Sequence, residues 1–508
     1  MNAASKIASE DFARRQIGRG YSKAAYRVLG RTELRVSAVG FGAYRVDTGT
    51  PEHRLALEKA LQEGCNLIDT STNYTDGESE RCIGESLAGM AHREEICRDE
   101  TVVVSKIGYV QGQNLQRARE REAAGEAFPE MVKISDDCWH CLHPVFLADQ
   151  LTRSLERLKL ERLDVCLLHN PEYFLEEAHR QAADPEASRQ EFYRRIRVAF
   201  THFEEEVRAG RIEWYGVSSN SLGADLGDPE ATSLGRMLEA AKRAAREAGR
   251  QEGDHHFAVA QLPMNLFEQD PCTVRKEGPE GRLSTLAFAR QQNIGILVNR
   301  PLNAFYQGRL IRLADFRMKP PGISLREALD RVTRLEQELD DRIAGHLKTS
   351  AGKPMTGFFS WGAQLAGAVG ELGGYEQWQV IQDHQITPRL FHAVRSMRSG
   401  LPEDLAGTFE GWLERYLPVL GDLLAILRAD CAARSQKRSD EIAASLNRGL
   451  PPAIRGETLS RKALHLVASV PGVHCVLNGM RHPDYVADSM EILKWEPLAE
   501  AEKLLGVQ

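Results

Sequence analysis

Long apolar runs are missing from this sequence. No stretch of its 508 residues approaches the roughly 20 apolar residues that a membrane helix needs, so no membrane-spanning role is expected. An excess of positive charge is missing too. Lys and Arg number 65 against 72 Asp and Glu, for a formal net charge of -7. Such a surface has no general attraction for nucleic acid or anionic lipid, and neither is expected as a partner. The opening residues, MNAASKIASEDFARRQIGRGYSK, lack the apolar centre of a secretory signal, and Glu10 and Asp11 are out of place in an organelle transit peptide. Cysteine is sparse, with nine in all. Cys65, Cys166 and Cys475 fall inside apolar runs, as buried thiols do in a reducing cytosol. A cytoplasmic location is the expectation.

What remains is the composition of a soluble globular protein, 42% hydrophobic and 27% charged, long enough for more than one domain. Eight β-like runs can be drawn: 36–42, 66–72, 101–108, 163–170, 212–220, 257–265, 294–302 and 472–480. Amphipathic helical segments lie between them, and this alternation argues for βα units around a parallel sheet. In the helical segment PEHRLALEKALQEG, Leu55, Leu57 and Leu61 are expected on the side that covers the sheet. Gly64 and Gly210 close helices just before strands.

The predicted fold is therefore an α/β protein, a (β/α)8 TIM barrel. An inserted, mainly helical subdomain lies between strands seven and eight. The expected organisation is an N-terminal extension over 1–25 and barrel strands one to seven over 26–302, with a long loop at about 109–143. The helical insertion follows over 303–456, then strand eight and a C-terminal helix over 457–508. A structureless connection as long as 303–456 would be exceptional, which is why a helical subdomain is expected there. Because it follows a strand, it is expected over or beside the barrel mouth. Its segment with Trp412, Leu413, Tyr416, Leu417, Leu420 and Leu424 is expected to pack within the insertion. The alternative for that segment is an oligomer contact.

Strands two, three and four end in ionisable side chains. The runs NLIDTSTNY, TVVVSKIG and RLDVCLLHN carry Asp69 and Tyr74, Lys106, and His169. Residues just past the C-terminal ends of barrel strands converge on one mouth, where such barrels do their chemistry. A carboxylate, a phenol, an amine and an imidazole meeting there suit carbonyl reduction or alcohol oxidation. Tyr74 would move the proton. A free phenol titrates near pH 10, so a neighbouring cation such as Lys106 would be needed to favour phenolate. Asp69 would hold Lys106, and His169 would orient the substrate oxygen or share the proton transfer. Each residue alone also has an ordinary structural reading: a turn cap, a rim aromatic, a solvated strand end, a satisfied histidine. The convergence of all four is what points to catalysis.

With those residues in place, the chain resembles the aldo-keto reductase family. YRVLGRTELRVSAVGFGAY (26–44) is similar to that family's opening hairpin and first strand. NLIDTSTNYTDGESERCIGESL, VVSKIG and LDVCLLHNP carry its tetrad at Asp69, Tyr74, Lys106 and His169. The resemblance implies an NAD(P)-dependent oxidoreductase. It places the nicotinamide carboxamide against Ser218, Ser219 and Gln261, although Ser219 stands where the family commonly has asparagine. Leu302 would line the pyrophosphate, with the cationic Arg300 beside it. The aromatic that often stacks on the nicotinamide is replaced by Asn299. In VLNGMRHPDYVADSM, Gly479 and Arg481 begin the loop that grips the adenosine phosphate, and Asp488 sits where an acid contacts adenine. Arg481 favours NADP(H) over NAD(H), because a guanidinium binds phosphate through two donors.

The loop motif CWHCLHP places Cys138, His140, Cys141 and His143 within six residues, too tightly for one short loop to wrap a tetrahedral metal. No metal site is expected, and the loop is read as structural or substrate-shaping, with His140 over the mouth. Trp139, Phe174 and Tyr306 are further candidates for the pocket. The expected substrate is a small carbonyl or alcohol: an aldehyde, a ketone or a sugar. Two alternatives stand beside this reading. One is a cofactor-binding regulatory or scaffold protein with little turnover. The other is a mainly oxidative sugar or polyol dehydrogenase.

Overall fold

The computed structural model describes residues 3–344 and 356–505. Eight parallel strands close into a barrel in sequential order. They are β1 (Val39–Gly42), β2 (Leu67–Asp69), β3 (Val102–Ile107), β4 (Leu163–His169), β5 (Ile212–Ser218), β6 (Phe257–Pro263), β7 (Gly295–Asn299) and β8 (Cys475–Asn478). The expected (β/α)8 architecture is thus present. Every strand is shorter than its apolar run in the sequence; in all but the first, the last residues of the run leave the ladder at the mouth. The start of the first run belongs instead to the segment Arg35–Ser37, which pairs antiparallel with Tyr26–Val28.

The barrel interior is packed with aliphatic side chains. Leu67, Val102, Val104, Val165, Leu167, Val259, Leu297 and Leu477 form one cluster, which Leu29, Leu34 and Val36 of the hairpin segment extend. Near-continuous burial of β3, β4 and β6 is what a parallel sheet covered on both faces requires. On the outside, the helix Pro51–Gln62 buries His53, Ala56, Leu57, Ala60 and Leu61. Leu55 is 56% exposed, contrary to the sequence expectation. The buried stripe runs through 53, 56, 57, 60 and 61 at three- and four-residue spacing, and Leu55 falls between its rows.

Two compact units make up the chain, Met1–Arg309 with Gly449–Gln508, and Leu310–Arg448. The second unit is helical: Leu325–Arg342, Trp361–Ala368, Tyr375–Ile381, Thr387–Gly400 and the 45-residue helix Glu403–Asn447. Its core is aromatic. Trp412 stacks on Tyr416 at 4.5 Å and meets Phe359 at 5.0 Å. The Tyr416 hydroxyl donates to Glu336 at 2.7 Å, and that carboxylate also accepts from the Trp361 amide. Trp412, Leu413, Tyr416 and Leu420 are buried in this core, while Leu417 is 42% exposed. Among the described residues no helix is long and apolar enough to cross a membrane.

Candidate active site

Strand register explains why the sequence-predicted residues meet. Across β4, β5 and β6, His169 lies opposite Ser218, and Ser218 opposite Gln261, so three side chains form one row at the strand ends. On the other side of the mouth, Asp69 closes β2 and Lys106 lies one residue from the end of β3. Tyr74 follows in a turn where Thr75, Asp76 and Gly77 all adopt positive φ, of 47°, 57° and 89°. Two non-glycine residues in the left-handed region carry a conformational cost that must be held by their surroundings.

The contacts are continuous. Lys106 Nζ donates to Asp69 Oδ2 at 2.7 Å, to the Thr70 carbonyl at 2.8 Å and to the Tyr74 hydroxyl at 3.2 Å. The other Asp69 oxygen accepts from Gln261 Nε2 at 2.7 Å, and Gln261 Oε1 accepts from Ser218 at 2.9 Å. His169 packs edge-on against Tyr74 at 5.8 Å between ring centres. Asp69, Lys106, Tyr74, His169, Ser218 and Gln261 therefore form one connected group. Lys106 is wholly buried, and a buried ammonium persists only when paired and hydrogen-bonded.

Burial lowers the Lys106 ammonium, but Asp69 and Tyr74 together outweigh it, and its pKa ends above the ordinary value. The Tyr74 phenol behaves differently from the sequence expectation of a phenolate-favouring cation. Burial raises its pKa, and the downward pull of Lys106 does not cancel that. The hydroxyl thus keeps its proton throughout the neutral range. His169 is driven well below its ordinary value by burial first and then by Lys106 and His140, so the ring is neutral.

Other sequence-predicted residues are placed less directly. Ser219 Oγ is turned to Ser221 and Thr232, at 3.4 and 3.2 Å. Arg300, with φ 52°, pairs with Glu268 at 2.7 Å. Leu302 lies beyond the end of β7, half-buried. Gly479 and Arg481 are exposed just after β8. Asp488 accepts from Thr458 and Ser460 and pairs with Arg461 at 3.0 Å. The four residues of the loop motif point to separate partners. His140 meets the His169 carbonyl, Cys141 donates to the Pro129 carbonyl, and His143 caps the helix Pro144–Leu158. Cys138 lies beside Gln111.

Several residues at the mouth were not singled out from sequence. Ser71 contacts His169 Nδ1 at 2.9 Å, and Tyr109 packs on the same ring at 4.7 Å. Glu172, following His169 by three residues, accepts from the Asn170 side chain at 3.0 Å and the Asn220 amide at 2.7 Å. Burial pushes its carboxyl up to about 7. The only sequence signal for Glu172 was its place just after a strand end. Nothing in the spacing foretold its burial.

Burial also holds His140, His255, His465 and His474 down to about 4. In the unfolded chain they titrate near 6.5, so between those values the unfolded state binds more protons. Stability is therefore expected to fall as pH drops through 6.5 toward 4, by on the order of 3 kcal/mol for each such ring. Melting temperature measured against pH checks this. His474 Nδ1 accepts from the Ile296 amide at 3.0 Å, so His474→Gln is expected to flatten the slope by one ring's share. An unchanged slope would show that these rings do not drive it.

The family model of the aldo/keto reductase family matches residues 38–309. L-galactose dehydrogenase of Arabidopsis thaliana is 28% identical over 151 residues, which is 28% of this chain and 46% of that protein. NADH-specific methylglyoxal reductase of Escherichia coli (strain K12) is 26% identical over 150 residues, 28% of this chain and 40% of that protein. The match thus spans less than half the length of either relative. Among solved structures, a glycerol dehydrogenase from Gluconobacter oxydans superposes with a TM-score of 0.46 at 17% identity, covering 95% of this chain and 94% of that one.

Proposed function

The chain belongs to the aldo/keto reductase family, and from that premise we propose that it is a nicotinamide-dependent oxidoreductase. It interconverts a carbonyl and an alcohol on a small molecule: an aldehyde, a ketone or a sugar. The observation that carries this reading is the buried chain from Asp69 through Lys106 to Tyr74, at 2.7 and 3.2 Å. It opens at the Tyr74 hydroxyl, at the C-terminal ends of the strands. A phenol raised above its ordinary value by burial is a proton donor at neutral pH. It gives its proton to the substrate oxygen as negative charge develops there, and Lys106 stabilises the phenolate left behind. In the oxidative direction the same oxygen takes the proton, which requires alkaline pH. His169 flanks the substrate oxygen.

A bound nicotinamide would supply or accept the hydride. The residues present fit such a group. Asn299 Oδ1 and Arg300 Nε are buried without a hydrogen-bond partner among the described residues, and buried polar atoms seldom stay unpaired. Asn299 Oδ1 suits a carboxamide N–H beside Ser218 and Gln261, and Arg300 Nε suits a pyrophosphate oxygen near Leu302. Arg481, exposed beyond β8, is assigned the 2′-phosphate, so NADP(H) is the preferred cofactor.

A fluorescence titration with NADPH and with NADH tests this. Saturable binding is expected, tighter for NADPH by roughly tenfold or more, with the advantage erased in Arg481→Ala. Failure of both cofactors to bind would overturn the proposed function.

A further inference from the structure

The turn that follows β1 carries two outward side chains that the proton-transfer group does not use. Its backbone is fixed by three other segments. The Ala43 amide donates to the Asp69 carbonyl at 2.9 Å, and the Ala43 carbonyl accepts from the Ser79 hydroxyl at 2.9 Å. The Val46 amide closes the turn on the Ala43 carbonyl at 3.1 Å, and the Val46 carbonyl accepts from the Thr75 hydroxyl. Thr75 directly follows Tyr74, so the turn over 43–46 is fastened to the turn that holds the proposed proton donor. Ala43 and Val46 are buried, whereas Tyr44 and Arg45 between them are exposed.

Tyr44 is 61% exposed, and its ring meets that of Tyr74 edge-on at 5.1 Å. The Arg45 guanidinium lies over the Tyr44 ring at 5.8 Å. Among the described residues neither the Tyr44 hydroxyl nor Arg45 has a hydrogen bond or an ion pair. The nearest acid in the chain, Asp47, is engaged elsewhere. It accepts from the Thr50 amide at 2.8 Å and pairs with His53 at 3.2 Å. Other cations at the strand ends are engaged too, Lys106 with Asp69 at 2.7 Å and Arg300 with Glu268 at 2.7 Å. Arg45 differs from both. A guanidinium laid over an aromatic face keeps its in-plane donors free for a planar or tetrahedral oxyanion. The fixed backbone beneath it removes part of the ordering cost of binding one.

We propose that Arg45 binds an anionic group on the substrate, and that Tyr44 is the surface along which the intervening carbons lie. The inference rests on the proposed oxidoreductase reading and narrows its substrate to carbonyl compounds that carry a carboxylate or a phosphate. The carbonyl sits at the Tyr74 hydroxyl, the carbon chain crosses the Tyr44 ring, and the anion meets the Arg45 donors. Both anions offer the paired oxygens that a guanidinium binds through two donors. The cofactor is assigned to Ser218, Gln261, Asn299, Arg300 and Arg481, on strands five to seven and the loops after strands seven and eight. Tyr44 and Arg45 instead follow β1 and are tied to the turn after β2, which places them on the substrate side of the mouth.

The test is steady-state reduction by the full chain with NADPH on two matched pairs of aldehydes at low salt. Succinic semialdehyde is set against butanal, and glyceraldehyde 3-phosphate against glyceraldehyde. The anionic member is expected to lead in kcat/KM by roughly tenfold or more in at least one pair, and that pair identifies the anion as carboxylate or phosphate. Salt is expected to narrow the lead, because the site is exposed. Arg45→Gln is expected to abolish the lead, and Arg45→Lys, which keeps the charge, to restore most of it. NADPH affinity measured by fluorescence should stay within about twofold of wild type in both variants. Parity in both pairs overturns the proposal, and so does a lead that survives unchanged in Arg45→Gln. A loss of NADPH affinity in Arg45→Gln, with an equal fall for both members of a pair, assigns Arg45 to the cofactor and overturns it too. Turnover without any preference for the anion leaves the oxidoreductase reading standing and removes this inference alone. Turnover of none of the four removes both.

Discussion

Tyr74→Phe is expected to lower the rate of carbonyl reduction by roughly 10²- to 10⁴-fold, the usual share of a positioned general acid. Nicotinamide affinity should stay within about twofold. The substitution removes only the hydroxyl, and the Tyr74 ring keeps its edge-on contacts with Tyr44 at 5.1 Å and His169 at 5.8 Å. The loss should therefore fall on kcat rather than on folding, and a melting curve run beside the kinetics separates the two. In the wild-type protein the phenol is raised by burial, so its protonated form persists above pH 10. Reduction is accordingly expected to be flat through the neutral range, with its alkaline decline only above pH 10. Oxidation is expected to gain with rising pH over the same range, since it needs the phenolate. A variant that turns over within about threefold of wild type would remove Tyr74 from the chemistry altogether.

Lys106→Met has the second large effect, and it reaches stability as well as rate. The amine is wholly buried and pairs with Asp69 at 2.7 Å. Removing it leaves the Asp69 carboxylate in the barrel mouth with Gln261 as its remaining side-chain donor. Breaking one side of a buried ion pair costs about 3–5 kcal/mol, mostly as the penalty on the charge left behind. A denaturant midpoint well below that of wild type is expected. Adding Asp69→Asn should recover most of that stability, because the stranded charge is gone and an amide oxygen still accepts from Gln261. Activity should not recover, since no cation then faces the Tyr74 oxygen. Equal stability of Lys106→Met and wild type would mean that the pair contributes nothing to folding.

The barrel and the meeting of Asp69, Lys106, Tyr74 and His169 at its mouth were legible because both follow from short-range patterns. Apolar runs alternating with amphipathic helices give βα units, and Asp69, Lys106 and His169 each sit at or near the end of such a run. Parallel register then carries them to one mouth, and it also brings Ser218 and Gln261 into the same row. What sequence left out depends on contacts between distant segments. Arg300 reads as a free cation until Glu268, 32 residues away, is seen to hold it. Asp488 reads as a free acid until the start of the helix Leu459–Ser469 supplies Thr458, Ser460 and Arg461. Leu55 failed for a different reason, since leucine content alone does not say which row of a helix is covered. The sign of the Tyr74 shift also escaped. Lys106 predicts a lowered phenol, and only the degree of burial shows which effect is larger.

The most direct test of the central claim is steady-state NADPH consumption by the purified full chain over a panel of small aldehydes, ketones and sugars, with the alcohol product quantified. The account predicts saturable consumption matched one for one by alcohol and lost in Tyr74→Phe. Cofactor that binds but is not consumed with any member of the panel, in either direction, would contradict it and leave the barrel as a nicotinamide-binding scaffold.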